Sequence, residues 1–303
     1  MEKEKNSSKY ALITGATSGF GYEFCLLFAE QGYNLILVAR SAEALETVAN
    51  EMRQKFNVDI LTIPKDLFKQ KGAEELYLEV KDKGIQVDIL INDAGQGEYG
   101  KFAEYELSRD LDIIQLNIVS LVTLTKYFLT DMLKRNEGKI LQVASILSKY
   151  PSPWMSVYGG TKAFVLSFTE GLIEELKETG VSVTALIPGA SDTDFFHKAG
   201  AENSVTYREE PLSSPKDVAR DGFDALMKGE RRVVSGFKNK VQTAMSSILP
   251  DEKLAAQMNE QMSPSHKAEG REEITHPASK AERERIEKAT ANETGEFDDV
   301  EKS

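Results

Sequence analysis

Tyr158 and Lys162 stand four residues apart in "SVYGGTKAF", residues 156–164, a stretch that reads as a helix. At that spacing they share one face, about one turn apart. A free phenol titrates near about 10, and a general acid–base works best near the operating pH. Lowering the phenol by about three units takes roughly 4 kcal/mol. A positive charge about 4 Å away, at an effective dielectric near 20, offers an interaction of that order. The pair therefore predicts a tyrosine acid–base tuned by a lysine. Between them lie Gly159 and Gly160, each costing a helix roughly 1 kcal/mol relative to alanine. The expected reason is close approach of a bound cofactor or of neighbouring backbone.

The elements that position this pair follow from the apolar pattern. Short apolar runs occur at 10–15, 34–39, 58–63, 87–92, 139–145, 181–188 and 231–235. Helical patterns separate them, among them 42–56 with Leu45, Val48, Ala49 and Met52 at helical spacing, and a longest one over about 108–135. Strands alternating with helices predict right-handed βαβ units. The fold class is α/β, a doubly wound parallel sheet of about seven strands covered on both faces. After a long loop over 189–213, Ser214, Pro215 and Asp217 mark a helix start as N-cap, first-turn proline and capping-box acid.

The first strand runs into "TGATSGFG", residues 14–21, and then a helix. Gly15, Gly19 and Gly21 sit where backbone turns tightly, and a helix N-terminus there suits a pyrophosphate. The spacing is G-x-x-x-G-x-G, not the commoner G-x-G-x-x-G. Where many dinucleotide-binding chains carry an acid after the second strand, this one has Ala39 and Arg40. An acid would repel a ribose 2′-phosphate, whereas arginine can hold it bidentately. The expected cofactor is NADPH or NADP+, with NAD(H) second.

These residues resemble the classical type of the short-chain dehydrogenase/reductase family. "TGATSGFG" looks like its cofactor loop, "NDAG" (92–95) like its central-strand motif, "YGGTK" like its Y-x-x-x-K site and "PGASDT" (188–193) like its motif after the sixth strand. Order and separations agree over about residues 9–235. The resemblance implies a Rossmann-like single domain and a catalytic set of Asn117, Ser145, Tyr158 and Lys162. Tyr158 would be the acid–base, and Lys162 would lower its pKa and bind the nicotinamide ribose. Ser145 would hydrogen-bond the substrate carbonyl, and Asn117 would hold a water in a proton relay. Cofactor contacts would come from Gly15, Thr17, Ser18, Gly19, Phe20 and Gly21 in the loop. Others would come from Arg40, from Asp66 at the adenine, from the backbone-anchoring Asn92, from Ala94 and Gly95, and from Pro188 and Thr193 at the nicotinamide end. The chain departs from the family at Asp93, where N-N-A-G has its second asparagine, and at Ser18, where some NADPH-preferring members are basic.

The substrate region implied is the segment between Ser145 and Tyr158, with Tyr150, Trp154 and Met155, and the loop 191–212 with Phe195 and Phe196. Phe102 and Tyr105 lie in the loop after the fourth strand. Together they suggest an apolar pocket with a mobile lid for a hydrophobic aldehyde, ketone or matching alcohol. No metal site is expected. A non-catalytic NADP(H)-binding sensor is the rival from another class, though a sensor has no need of the tyrosine. An epimerase of the extended relatives is a second rival, and it would need a substrate domain after the sheet.

The chain has 303 residues and a net charge of −12, which argues against nucleic acid as the main partner. No run approaches the roughly 20 apolar residues of a membrane span. The charged start, "MEKEKNSSKY", has no apolar signal core, so a cytoplasmic location is expected. The single cysteine, Cys25, reads as a small buried hydrophobe. The organisation expected is a catalytic domain over 9–238, an amphipathic helix over 239–262 and a disordered charged tail over 263–303. The helix carries Val241, Met245, Ile248, Leu249, Leu254, Met258 and Met262. It could pack on its own domain or a second subunit, bind a partner protein, or touch a membrane surface. By the resemblance, a homodimer or homotetramer is expected.

Overall fold

Alternate residues of a strand point to opposite faces, and the central strands here are apolar on both. Ala11 and Ile13 of β1 (Tyr10–Thr14) join one core cluster, and Leu12 joins the other. Leu35 and Leu37 of β2 (Asn34–Ala39) and the intervening Ile36 and Val38 divide the same way. Such strands need cover on both sides, and helices supply it. The protein is described by a computed structural model covering residue 6, residues 8–246 and residues 249–265.

β3 (Ile60–Pro64), β4 (Val87–Asn92), β5 (Gly138–Val143), β6 (Val181–Ile187) and β7 (Arg232–Val234) complete a seven-stranded sheet in the order β3-β2-β1-β4-β5-β6-β7. Every pairing is parallel. On one face lie α1 (Gly19–Glu30), α2 (Ala42–Lys55) and α9 (Pro215–Lys228), bringing Phe28, Val48 and Phe223 into one cluster. On the other lie α3 (Gly72–Asp82), α4 (Leu107–Ile114), α5 (Leu121–Arg135) and α6 (Ser156–Glu175). The chain reverses direction across the sheet between β1 and β4. Their carboxyl ends therefore open a crevice, the usual place for a ligand in this architecture.

α4 and α5 are one continuous helical run, joined by a π-helical turn over Gln115–Ser120. The run is long and apolar enough by composition to cross a membrane, but half of its most apolar window is buried. Leu124, Phe128 and Met132 lie in the sheet's core, as in a packing helix.

The C-terminal expectation is corrected. Instead of one helix over 239–262 there are two, α10 (Phe237–Ser246) and α11 (Asp251–Met262). Pro250 caps α11, and a proline disfavours helical backbone in the residue before it. Ile248 and the side chain of Met245 lie outside the described residues. The expected tail begins later than 263: Ser204 bridges Pro264, and Ser265 N–H donates to the Asn203 carbonyl. The rest of the tail lies outside the described residues. The 189–213 loop holds two short helices, α7 (Phe195–Lys198) and α8 (Val205–Glu209). At α9 the Ser214 hydroxyl accepts from the Asp217 N–H, as expected. Cys25 is fully buried, and burial pushes its thiol well up, leaving it unreactive.

Candidate active site

A cavity of about 480 Å³ opens at the carboxyl ends of β1 and β4 and runs from Arg40 to the C-terminal helices. Gly15, Thr17, Ser18, Gly19 and Phe20 border it on the glycine-rich turn. Gly15 and Gly19 take φ of +73° and +54°, the left-handed region that glycine enters freely. A Cβ on Gly21 would stand 2.2 Å from the Gly15 carbonyl, so only glycine lets α1 start this close to the turn. No side chain caps α1 at Ser18, and its first turn carries no acid. A helix N-terminus of this kind behind a narrow glycine turn fits a pyrophosphate. Thr14, a residue the sequence reading did not single out, clamps the two strands behind the turn. Its hydroxyl donates to the Ile91 carbonyl and accepts from the Asp93 and Ala94 N–H groups.

At one end, Arg40 borders the cavity with its guanidinium 5.2 Å from the Phe68 ring centroid, and Lys65 lies alongside. Ala94, Gly95, Pro188 and Thr193 line the middle. Five expected site residues do not face the cavity. Asp66 bonds the Phe68 N–H in a local turn, and its neighbours Leu67 and Phe68 form the wall instead. Asn92 is buried between strands, donating to Thr125 and Gln142. Gly21 packs behind the turn. Asn117 lies behind Gly95, and Trp154 packs outside the apolar wall.

Asn117 sits in the π-helical turn, a local widening that often marks functional positions. Its amide brackets Gln96, accepting from that N–H and donating to that carbonyl, and also donates to Thr161. A Cβ placed on Gly95 would be 3.3 Å from Lys162 Nζ and 3.4 Å from Asn117 Oδ1. Asn117 and Lys162 therefore face the same small space.

Ser145, Tyr158 and Lys162 all line the cavity and are buried. Ser145 caps a short 3-10 turn over Ile146–Lys149, its hydroxyl accepting from the Leu147 N–H, and its side chain favours the ionised form of Tyr158. The four-residue spacing predicts an ammonium beside the phenol that lowers its pKa; the structure differs. Lys162 Nζ donates to the Val143 carbonyl at 2.7 Å and stands 5.7 Å from the tyrosine ring centroid. Burial pushes the Tyr158 phenol up, the Ser145 side chain pulls it down and the Asp93 charge raises it. Burial pushes Lys162 down to about 8, with Asp93 opposing. The set is thus a neutral phenol held ready as a donor beside a lysine that is charged at neutral pH.

The glycines of "YGGTK" also need correction, since neither lines the cavity. Gly159 packs on Ser152, where a Cβ would stand 2.4 Å from the hydroxyl oxygen. Around Gly160 no atom lies within 4 Å of a Cβ. Gly160→Ala should therefore raise stability by about 0.5–1 kcal/mol, whereas Gly159→Ala should lower it. Thermal melts of both variants check this, and a loss for Gly160→Ala would show that a second chain packs there.

The far end of the cavity is apolar. Leu147, Met155, Phe195, Phe196, Met258 and Met262 join one cluster around Tyr158, with Phe195 4.8 Å from it between ring centroids. Tyr150 lines the wall, and its hydroxyl donates to the Gln242 carbonyl of α10. Trp154 stacks on Tyr99 and donates to Asn259, while the Tyr99 hydroxyl donates to the Met262 carbonyl. These bonds latch α11 over the cavity, which assigns the C-terminal helices to the site. Phe102 is 62% exposed, and neither it nor Tyr105 faces the cavity.

The short chain dehydrogenase family matches residues 9–204, and the chain belongs to that family of oxidoreductases. The rat very-long-chain 3-oxoacyl-CoA reductase is 32% identical over 188 residues, 59% of this chain; the chain spans 58% of that reductase's length. Among solved structures, a short-chain dehydrogenase from Sphingobium yanoikuyae in complex with NADPH is similar with a TM-score of 0.70 at 25% identity. That match covers 80% of this chain and 96% of the other. A bulky-bulky ketone specific alcohol dehydrogenase from Comamonas testosteroni is similar at 0.68 and 26% identity, covering 80% and 95%.

Proposed function

We propose that this protein is an NADP(H)-dependent oxidoreductase acting on the carbonyl or alcohol carbon of a hydrophobic substrate. The observation that carries this reading is one cavity with Arg40 at one end, a Met- and Phe-rich wall at the other, and Ser145, Tyr158 and Lys162 between them. The glycine turn, the uncapped start of α1 and Arg40 are the groups that would hold NADPH. Bound there, a reduced nicotinamide supplies the hydride equivalent. The chain's own residues do the rest. Ser145 and Tyr158 converge on one oxygen position and polarise it. The neutral Tyr158 phenol donates its proton to that oxygen. Lys162, held by the Val143 carbonyl, puts a positive charge nearby as the phenolate develops. The doubly wound fold accepts either dinucleotide, so the cofactor choice rests on Arg40.

The apolar wall supports a bulky apolar substrate, in keeping with the ketone and 3-oxoacyl specificities in the names of the relatives. Methionine walls adapt to irregular apolar shapes. Met258→Ala should raise KM for large apolar ketones by about tenfold, the loss of roughly 1–2 kcal/mol of contact, and leave NADPH affinity unchanged. A carbonyl panel with NADPH checks this. Equal rates on small polar and long apolar carbonyls would contradict the substrate class. Leu107 and Leu111 of α4 and Phe164 of α6 are exposed, which supports a homodimer or homotetramer through these helices. A cytoplasmic location belongs to the same reading.

A further inference from the structure

Asp93 borders the dinucleotide end of the cavity and has no part in the proton transfer described above. It stands where the related motif carries an asparagine. Its carboxylate lies directly behind the glycine turn. A Cβ on Gly15 would be 3.0 Å from Asp93 Oδ2, and one on Gly21 would be 2.8 Å from it. The carboxylate is seated against the Gly21 backbone, and the Asp93 N–H donates to the Thr14 hydroxyl. The ionisable groups that interact with its charge are Lys162 and Tyr158 on α6, Lys198 on α7 and Cys25 on α1.

We infer that Asp93 is a proton-linked positioning residue for the cofactor: it braces the Gly15–Gly21 turn from behind and takes up a proton when an anionic dinucleotide binds. The inference rests on the proposed dinucleotide site. Pyrophosphate on the turn and an ionised carboxylate just behind it are like charges in a partly apolar cavity, where screening is weak. Protonating Asp93 removes that repulsion and leaves the carboxyl seated against Gly15 and Gly21, with its backbone still tied to Thr14, so the brace survives. The carboxyl is already poised for this. Burial pushes it up to about 7, while Lys162, the Gly21 N–H and Lys198 pull the other way. An added anion favours the neutral form further. Asparagine would give the same brace with no proton link.

The test uses the full chain and NADPH without substrate. Difference infrared spectra at about pH 8 should show a protonated-carboxyl C=O band gained on NADPH binding, and at about pH 5.5, where the carboxyl is already neutral, no gain. Asp93→Asn should bind NADPH and show no gain at either pH. Its affinity should also fall less steeply with rising pH than that of the wild type, whose Kd should rise by up to about tenfold per pH unit. The carboxyl band separates Asp93 from Lys162, which also titrates in this range. NADPH binding to the wild type without the band, or an unchanged band in Asp93→Asn, overturns the inference alone. Failure of the wild type to bind NADPH overturns the dinucleotide reading and the inference with it. The wild-type comparison at two pH values stands even if the variant does not fold.

Discussion

Tyr158→Phe should lower kcat for carbonyl reduction by roughly 10²–10⁴-fold and leave NADPH affinity within about twofold. The substitution removes one oxygen from a ring already packed on Phe195, so the fold has no reason to change. What disappears is the phenolic proton that the proposed mechanism transfers to the substrate oxygen. Ser145 would still polarise that oxygen, and it would account for a residual rate. The pH dependence follows from the same groups. Burial raises the phenol, so Tyr158 stays a donor through neutral pH. Lys162 titrates at about 8 and loses its charge as pH rises through that value. The reductive rate should therefore be level below about 8 and fall above it. Steady-state rates of wild type and variant across pH, with calorimetric NADPH titrations, check both statements. Retained turnover in Tyr158→Phe would overturn the acid–base assignment.

Arg40→Ala should raise the Kd for NADPH by roughly 10–100-fold and leave the Kd for NADH within about twofold. Charge-assisted hydrogen bonds contribute about 1.5–3 kcal/mol each, and a 2′-phosphate is the one group that distinguishes the two cofactors. Arg40 also lies against the Phe68 ring, so truncation removes packing as well as charge. Arg40→Lys separates the two effects, because lysine keeps the charge and loses the planar fork. It should fall between wild type and alanine. An unchanged preference in Arg40→Ala would remove the basis for NADPH.

The sheet was legible because short runs apolar on both faces alternate with segments of helical period in this chain. Leu12 and Ile13 point to opposite cores, and such strands admit few folds. Tyr158 and Lys162 were legible as types and spacing, Ser145 through the resemblance alone, and the structure gathers all three in one cavity. Their electrostatics were not, because a helical turn fixes only relative placement. The Val143 carbonyl that draws Lys162 away comes from another element. The same limit hid the roles of Asn92 and Asn117, whose partners lie tens of residues away. The π-helical turn at Asn117 has no period of its own in the sequence. Pro250 was a visible breaker inside the 239–262 pattern, and it does separate two helices. That α11 closes over the cavity could not be read locally, since Tyr99 and Met262 are 163 residues apart.

The most direct test of the account is calorimetric titration of the purified protein with NADPH and, in parallel, NADH. It needs no substrate, so an unsuitable carbonyl cannot mask the result. The account predicts saturable one-site binding of NADPH, at least tenfold tighter than NADH, as one charge-assisted contact at Arg40 requires. Binding of neither dinucleotide would contradict it, leaving the fold intact and the oxidoreductase reading of the cavity without its cofactor.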